Sequence, residues 1–456
     1  MEAREVGALI RSRRISSVEV TTRQLERITA LDPQLNSYIA VMADRALAEA
    51  QSADDAISRG EAVGELHGVP LAVKDICDIA GVPTTAGMPI HRHSRAVADS
   101  TIITRLRKAG AVVLGKTNLT EGVYAEHVAP YGPPVNPWRK ERWPGASSSG
   151  NGVAVAAGLC YGAIGSDTGG SIRLPSAVNG VTGLKPTWGR VSRHYIFELA
   201  ATLDHIGPMA RSAADAGAIL QAVAGADPAD PTASLEPVPD YLAGLGAGIE
   251  GLRVGVDPVW ISEGVDALST ATVYEAAEIL KSLGADLRQT RFPDPRQIVW
   301  DWFEVCAAQT AFAHRATYPA RKPEYGAALS ALLDMGLALK ATEYQERILR
   351  REAFRGRVQA LFADIDLLAI PVLAFPAPTI ERMTRVDDET IFGLHRFTCS
   401  FTMSGNPTIT LPGGFTDDGM PIAVQFVASH FAEALLIRVG HAVQTATDWH
   451  RRHPML

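Results

Sequence analysis

The sequence predicts an α/β protein in which short buried strands alternate with helices that cross over a sheet. Two observations carry that expectation. From residue 66 onward the apolar runs HGVPLAVKD and AGAVVLGKT flank a stretch of helical spacing, STIITRLRKAG, the pattern of strand, crossover helix and parallel strand. Further strand-like runs follow at LRVGV, DLLAIPV and PTITLP. Ahead of these, residues 1–60 have helical spacing, with Val18, Leu25, Ile28 and Leu31 on one side among charges, and Asp32–Pro33 is expected to end one segment. The stretch 226–251, ADPADPTASLEPVPDYLAGLGAGIEG, is rich in Pro, Gly and Asp and reads as a surface connection.

Composition narrows the class. The 456 residues are 46% hydrophobic with a net charge of -7 at pH 7, so a large core sits under a mildly acidic surface and nucleic acid is not an expected partner. The opening MEAREVGALIRSRR lacks the basic start, long apolar stretch and small-residue cleavage site of a signal peptide, and no window reaches the apolar length of a membrane span. No membrane association and a cytoplasmic location are therefore expected, and four cysteines without a CxxC fit that compartment.

Residues 144–173, PGASSSGNGVAVAAGLCYGAIGSDTGGSIR, hold two serine-bearing turns apart by one small apolar segment. That spacer must be buried to be stable, so it is a helix and not a linker. Serine needs a base within hydrogen-bond reach to act as a nucleophile. No histidine lies between residues 128 and 193, but Lys74 ends the apolar run Val69 to Val73 and precedes Asp75. Burial disfavours an ammonium ion, so Lys74 can be neutral near pH 7 and take a proton, with a second serine as relay. Gly169 and Gly170 directly precede Ser171, and consecutive glycines let successive N–H groups point into one concavity. Each such donor contributes roughly 3–4 kcal/mol to a tetrahedral intermediate elsewhere.

Other signals point away from competing chemistries. Gly246, Gly248 and Gly251 match GxGxxG, but the strand-like LRVGV follows them where a dinucleotide fingerprint would open a helix. No GxSxG or SxxK occurs, and no HExxH, His/Cys cluster or EF-hand loop is present. Neither a metal nor any other cofactor is expected.

GVPLAVKD, PGASSSGNGVAVAAGL, GAIGSDTGGSIRLPSAVNGVTGLKPTWGRVSR and LDHIGPMARS resemble, in order and spacing, the core of the amidase signature family. The resemblance resumes in DLLAIPVLAFPAP, SGNPTITLPGGF and GMPIAVQFVASHFAEALLIRVGHAVQTATDWHRRHP. It implies a Ser-cisSer-Lys triad, with Ser171 as nucleophile, Ser147 as bridging serine and Lys74 as base; the two serines are 24 residues apart, the family's separation. It also implies an oxyanion hole of the Thr168, Gly169, Gly170 and Ser171 amides and a cis peptide before Ser147. The chain departs from the family at Ala146, where glycine is usual, and at Asn151, where serine is common.

The implied fold is one large α/β domain, a mixed central sheet covered by helices on both faces. Its parts are a helical N-terminal cap (1–60), a catalytic core (61–214), a variable, largely helical segment (215–360) and a C-terminal return to the sheet (361–456). Length alone suggests about three domains, but matching segments on both sides of 215–360 imply that one sheet draws strands from both ends. The implied activity is hydrolysis of amides through an acyl-enzyme, with carbamates or esters as further substrates and a monomer or homodimer as the working form. The alternatives are the glutaminase subunit of a tRNA-dependent amidotransferase and a non-catalytic binding member.

Substrate choice must come from outside the motifs. By the same resemblance, HYIFEL at 194–199 and IFGLHRFTCSF at 391–401 border the pocket, so Phe197, Phe392, Phe397 and Phe401 are expected to line it and to favour apolar or aryl substrates. The alternative is that they fill the core. Asp167 and Arg173 flank the nucleophile turn as structural partners or as substrate contacts. Ser148, Ser149 and Ser166 are expected as supporting loop residues, and Cys77 and Cys160 as buried packing.

Overall fold

The computed structural model describes residues 1–61 and 63–456. Its strands are β1 (Tyr38–Val41), β2 (Pro70–Lys74), β3 (Val112–Thr117), β4 (Gly162–Asp167), β5 (Thr182–Lys185), β6 (His205–Ala210), β7 (Arg253–Val256), β8 (Asp286–Gln289), β9 (Leu367–Pro371), β10 (Thr408–Phe415) and β11 (Pro421–Ala428). All eleven form one sheet in the order β1-β3-β2-β4-β6-β5-β10-β11-β9-β7-β8. β3, β2 and β4 run parallel, as do β9, β7 and β8, while β6, β5, β10 and β11 join the two parallel halves through antiparallel pairs. The sheet is mixed and takes strands from both ends of the chain.

Strand alternation divides the interior. In β2 Leu71 and Val73 enter one apolar cluster and Ala72 another; in β3 Val113 joins the first, Val112 and Leu114 the second. Successive side chains of a strand face opposite ways, so each strand feeds a core on either face of the sheet. The helices Ala213–Val223 and Glu433–Ala446 supply residues to the first cluster, and Ser149–Ala156 to the second. Every residue of Ser149–Ala156 is buried, as its small apolar composition requires. Among the described residues no helix is long and apolar enough to cross a membrane.

Three local expectations change. The N-terminal region is not helical throughout, because Tyr38–Val41 forms an edge strand antiparallel to β3. Asp32–Pro33 does not end its helix, which runs Ser17–Leu35 and stops at Asn36 in the left-handed region, φ 52°. Proline costs a helix mainly the bond its missing N–H would make, and here the stop is made instead by the Asp32 carboxylate, which accepts from the Ser37 and Tyr38 amides. The 215–360 region contributes, besides helices and the expected strand at LRVGV (β7), the unexpected β8, whose sequence DLRQ is an exposed charged edge strand that apolar patterning does not reveal. The 226–251 stretch carries neither helix nor strand, and it is pinned by the buried side chains of Tyr241 and Ile249.

Candidate active site

The parallel strands β2 and β4 end side by side, at Lys74 and at Asp167, and carboxyl ends of parallel strands are where α/β sheets place ligand sites. Lys74 is completely buried. Its Nζ donates to Ser147 Oγ at 2.7 Å and to Ser166 Oγ at 2.9 Å. Burial lowers its pKa to about 7 against the opposing pull of Asp167 and Asp204, so near neutral pH a large share of the amine is free to accept a proton. Ser147 follows a cis Ala146–Ser147 peptide and is also fully buried. The Ser148 amide donates to the Ser171 carbonyl at 3.3 Å, which ties the two serine turns together.

Ser171 opens onto a cavity of about 520 Å³ whose lining also includes Ala146, Thr168 and Gly169. Lys74 and Ser147 are not in that lining. Lys74 and its Ser147 partner are thus shut off from solvent, while Ser171 and Ala146, the residue before Ser147, reach the cavity.

The turn Thr168–Ser171 is held by its carbonyls. Trp302 Nε1 donates to Thr168 O at 2.7 Å, Thr398 Oγ1 to Gly169 O at 2.7 Å, and the Leu174 amide to Gly170 O at 2.7 Å. In a planar trans peptide the N–H points opposite to the carbonyl, so each bond also aims the next amide. One expectation fails here: the Gly170 N–H donates to Asp167 Oδ1 at 2.8 Å and is not free for an oxyanion. The amides of Thr168, Gly169 and Ser171 find no acceptor among the described residues.

Asp167 and Arg173 form a fully buried ion pair at 2.7 Å. Burial alone would raise the Asp167 carboxyl, yet the adjacent guanidinium holds it well below the usual carboxylate range. Asp167 also accepts from the Ile172 amide, and Arg173 donates to Thr398 O. Neither lines the cavity; the pair braces the turn. Cys77 and Cys160 are buried free thiols.

The predicted pocket segments are the right ones, but their phenylalanines are not in the wall. Leu199, Ile391, Leu394 and His395 line the cavity, whereas Phe197, Phe392, Phe397 and Phe401 do not. In the helix Asp388–His395 the lining positions are spaced three and four apart, so Phe392 sits one residue, about 100°, round from them. There it meets the guanidinium groups of Arg296 and Arg396. Phe397 and Phe401 are 0% exposed and pack on Trp260, itself stacked on Phe292. Phe197 lies edge-on between His91 and His314.

The aromatic wall is instead Tyr124, Trp143, Trp302 and Phe303, with Ile380, Met383 and Val386 at one side. Sequence reasoning missed all of these, because they come from loops and helices outside the motifs. It also missed a serine–histidine contact: His127, in the cavity lining, places Nε2 2.8 Å from Ser149 Oγ. Burial, with Lys74 adding to it, pushes that imidazole down to about 4, and burial does the same to His395. Both rings are neutral near pH 7.

A buried lysine thus donates to two serine hydroxyls beside a mainly apolar cavity, at the carboxyl ends of parallel strands. The Amidase family model matches residues 19–437. The chain belongs to the amidase signature family and is a carbon–nitrogen hydrolase. It is 48% identical over 457 residues to a protein of Mycobacterium tuberculosis named provisionally as amidase AmiD, covering 100% of this chain and 96% of that one. It is 37% identical over 480 residues to a glutamyl-tRNA(Gln) amidotransferase subunit of Pseudomonas syringae, covering 100% and 99%. The solved structure of 6-aminohexanoate cyclic dimer hydrolase complexed with substrate superposes with a TM-score of 0.90 at 28% identity, over 100% of this chain and 98% of that one.

Proposed function

We propose that the protein hydrolyses neutral, apolar or aryl amides through an acyl-enzyme on Ser171. The observation that carries this reading is the buried contact of 2.7 Å between Lys74 Nζ and Ser147 Oγ directly under a cavity that Ser171 enters. Ser171 Oγ attacks the carbonyl carbon while its proton passes to Ser147 Oγ, whose own proton goes to the neutral Lys74 amine. The carbonyl oxygen, now negative, is met by the Gly169 and Ser171 amides. The amine leaves after taking a proton back along the same path; water then attacks the ester, giving up its proton to the relay, and as the bond to Ser171 Oγ breaks and the acid leaves, the relay returns that proton to Ser171. Only the carbonyl meets this machinery, so carbamates and esters are chemically admissible as well.

The preference for neutral apolar substrates rests on the lining. It is mainly aromatic and aliphatic, it contains no lysine or arginine, and its one acidic side chain is the exposed Glu126. Glutamine would bring an α-carboxylate with no cation to meet it, so the glutaminase reading suggested by the amidotransferase relatives is disfavoured. The test is turnover of an aryl amide and of glutamine by the wild type, Ser171→Ala and Lys74→Ala. We expect aryl-amide hydrolysis in the wild type and its loss, by at least 10³-fold, in both variants with thermal unfolding retained. Retention of near-normal turnover by either folded variant would refute the assignment, and glutamine as the better substrate would refute the specificity.

A further inference from the structure

We propose that Trp302 positions the oxyanion turn: its indole N–H holds the Thr168–Gly169 peptide so that the Gly169 amide faces the carbonyl of a substrate at Ser171. This rests on the hydrolytic reading of Ser171 given above. Trp302 lies in the helix Arg296–Ala313, inside the 215–360 region and outside every motif that carries the family resemblance. Its Nε1 reaches Thr168 O at 2.7 Å in a buried contact. No other group among the described residues donates to that carbonyl. By contrast the neighbouring peptides have local braces. Gly170 N–H is taken by Asp167, and Gly170 O accepts from Leu174, which aims the Ser171 amide. The Gly169 amide is thus the donor whose direction depends on a residue brought in from a distant helix.

The indole is itself clamped. A Cβ at Gly169 would lie 2.3 Å from Trp302 Cζ2, so the ring lies directly against the peptide and the position admits only glycine. On the ring's other neighbours, His395 stacks at 5.5 Å and 23°, and Phe303 meets it edge-on at 4.8 Å. His395 Nδ1 also lies 3.3 Å from the Gly169 carbonyl. Trp302 lines the cavity too, so the wall felt by a bound substrate and the donor felt by its transition state are joined in one side chain. A donor aimed at the oxyanion acts mainly when charge develops there.

The experiment compares the wild type with Trp302→Phe, and with a protein carrying benzothienylalanine at position 302, which keeps the bicyclic ring and lacks its N–H. Three quantities are read: kcat and KM for an aryl amide, inhibition by an aryl trifluoromethyl ketone, and inhibition by the matching trifluoromethyl carbinol. The ketone is attacked by Ser171 Oγ, the proton leaves along the relay, and the former carbonyl oxygen keeps the negative charge; the carbinol fills the cavity without forming that oxyanion. We expect kcat to fall by about 10²-fold, ketone affinity to fall by the same factor, and KM and carbinol affinity to change less than about threefold. Unchanged kcat in the benzothienyl protein, or ketone and carbinol affinities that fall together with KM, would reduce Trp302 to a wall residue. A wild type that neither hydrolyses amides nor binds the ketone would instead bring down the reading of Ser171, a result distinct from an active wild type with indifferent variants.

Discussion

Three lysines, Lys74, Lys116 and Lys185, sit at or near the ends of β2, β3 and β5, and all three are completely buried. Lys116 is paired with Asp75 at 2.6 Å and also donates to Pro83 O and Thr84 Oγ1. Lys185 donates to Pro186 O, and burial drives its pKa well below the ordinary value. Only Lys74 donates to two serine hydroxyls beside the cavity. Its base form prevails above about pH 7, so kcat/KM should rise through an apparent pKa near 7 and level off above it. At pH 5 only about 1% of the base remains neutral, and activity falls by the same factor. His127 and His395, the two imidazoles of the lining, are pushed down to about 4 by burial and do not titrate in this window. A pH profile of aryl-amide hydrolysis checks this; an acid limb centred below pH 5.5, or a maximum near pH 5, would contradict it.

At the scale of the element, helix geometry decides which residues touch a substrate. Ile391, Leu394 and His395 face the cavity from the helix Asp388–His395, and Phe303 does so from Arg296–Ala313. Phe397, between one helix and the next, turns inward onto Trp260. The two phenylalanines should therefore respond in opposite ways. Phe397→Ala empties a filled core site and should cost about 3–5 kcal/mol of stability, with the kcat/KM of the folded fraction within a few-fold of wild type. Phe303→Ala should leave the unfolding midpoint within a few degrees of wild type and raise KM for an aryl amide by roughly tenfold, since losing apolar contact of that size removes about 1.5 kcal/mol or more. Urea unfolding and steady-state kinetics on both variants check this; equal stability losses would show that Phe303 is core.

Across the whole molecule, the fold gathers a site from residues far apart in the chain: Lys74, Ser147 and Ser171 from one parallel half of the sheet, Trp302 and His395 from two later helices that pack on each other. The enclosing wall carries one acidic side chain, Glu126, and no lysine or arginine, on a protein of net charge -7. An anionic substrate is repelled by both. Glu126→Gln should thus raise kcat/KM for a carboxylate-bearing aryl amide by about tenfold, equivalent to ~1.4 kcal/mol, and leave an uncharged aryl amide unchanged at the same ionic strength. Parallel improvement of both substrates would show that Glu126 acts on shape and not on charge.

By itself the sequence determined the α/β class, the strand that ends at Lys74, the buried helix between two serine turns, and the family. Each of these depends on patterns within a few tens of residues: apolar periodicity, consecutive glycines, and serines spaced for two turns. The burial that lowers Lys74 could also be anticipated, because an apolar run on one side of a lysine is local information. Only the tertiary structure decided which of three buried lysines meets a serine, that the Gly170 amide is spent on Asp167, and that Trp302 and Phe303, not Phe392 and Phe397, form the wall. The lysine–serine contacts join segments 73 and 92 residues apart and the Trp302 contact segments 134 apart. The Gly170–Asp167 bond, though only three residues long, depends on the exact path of the turn, which neighbours along the chain do not specify.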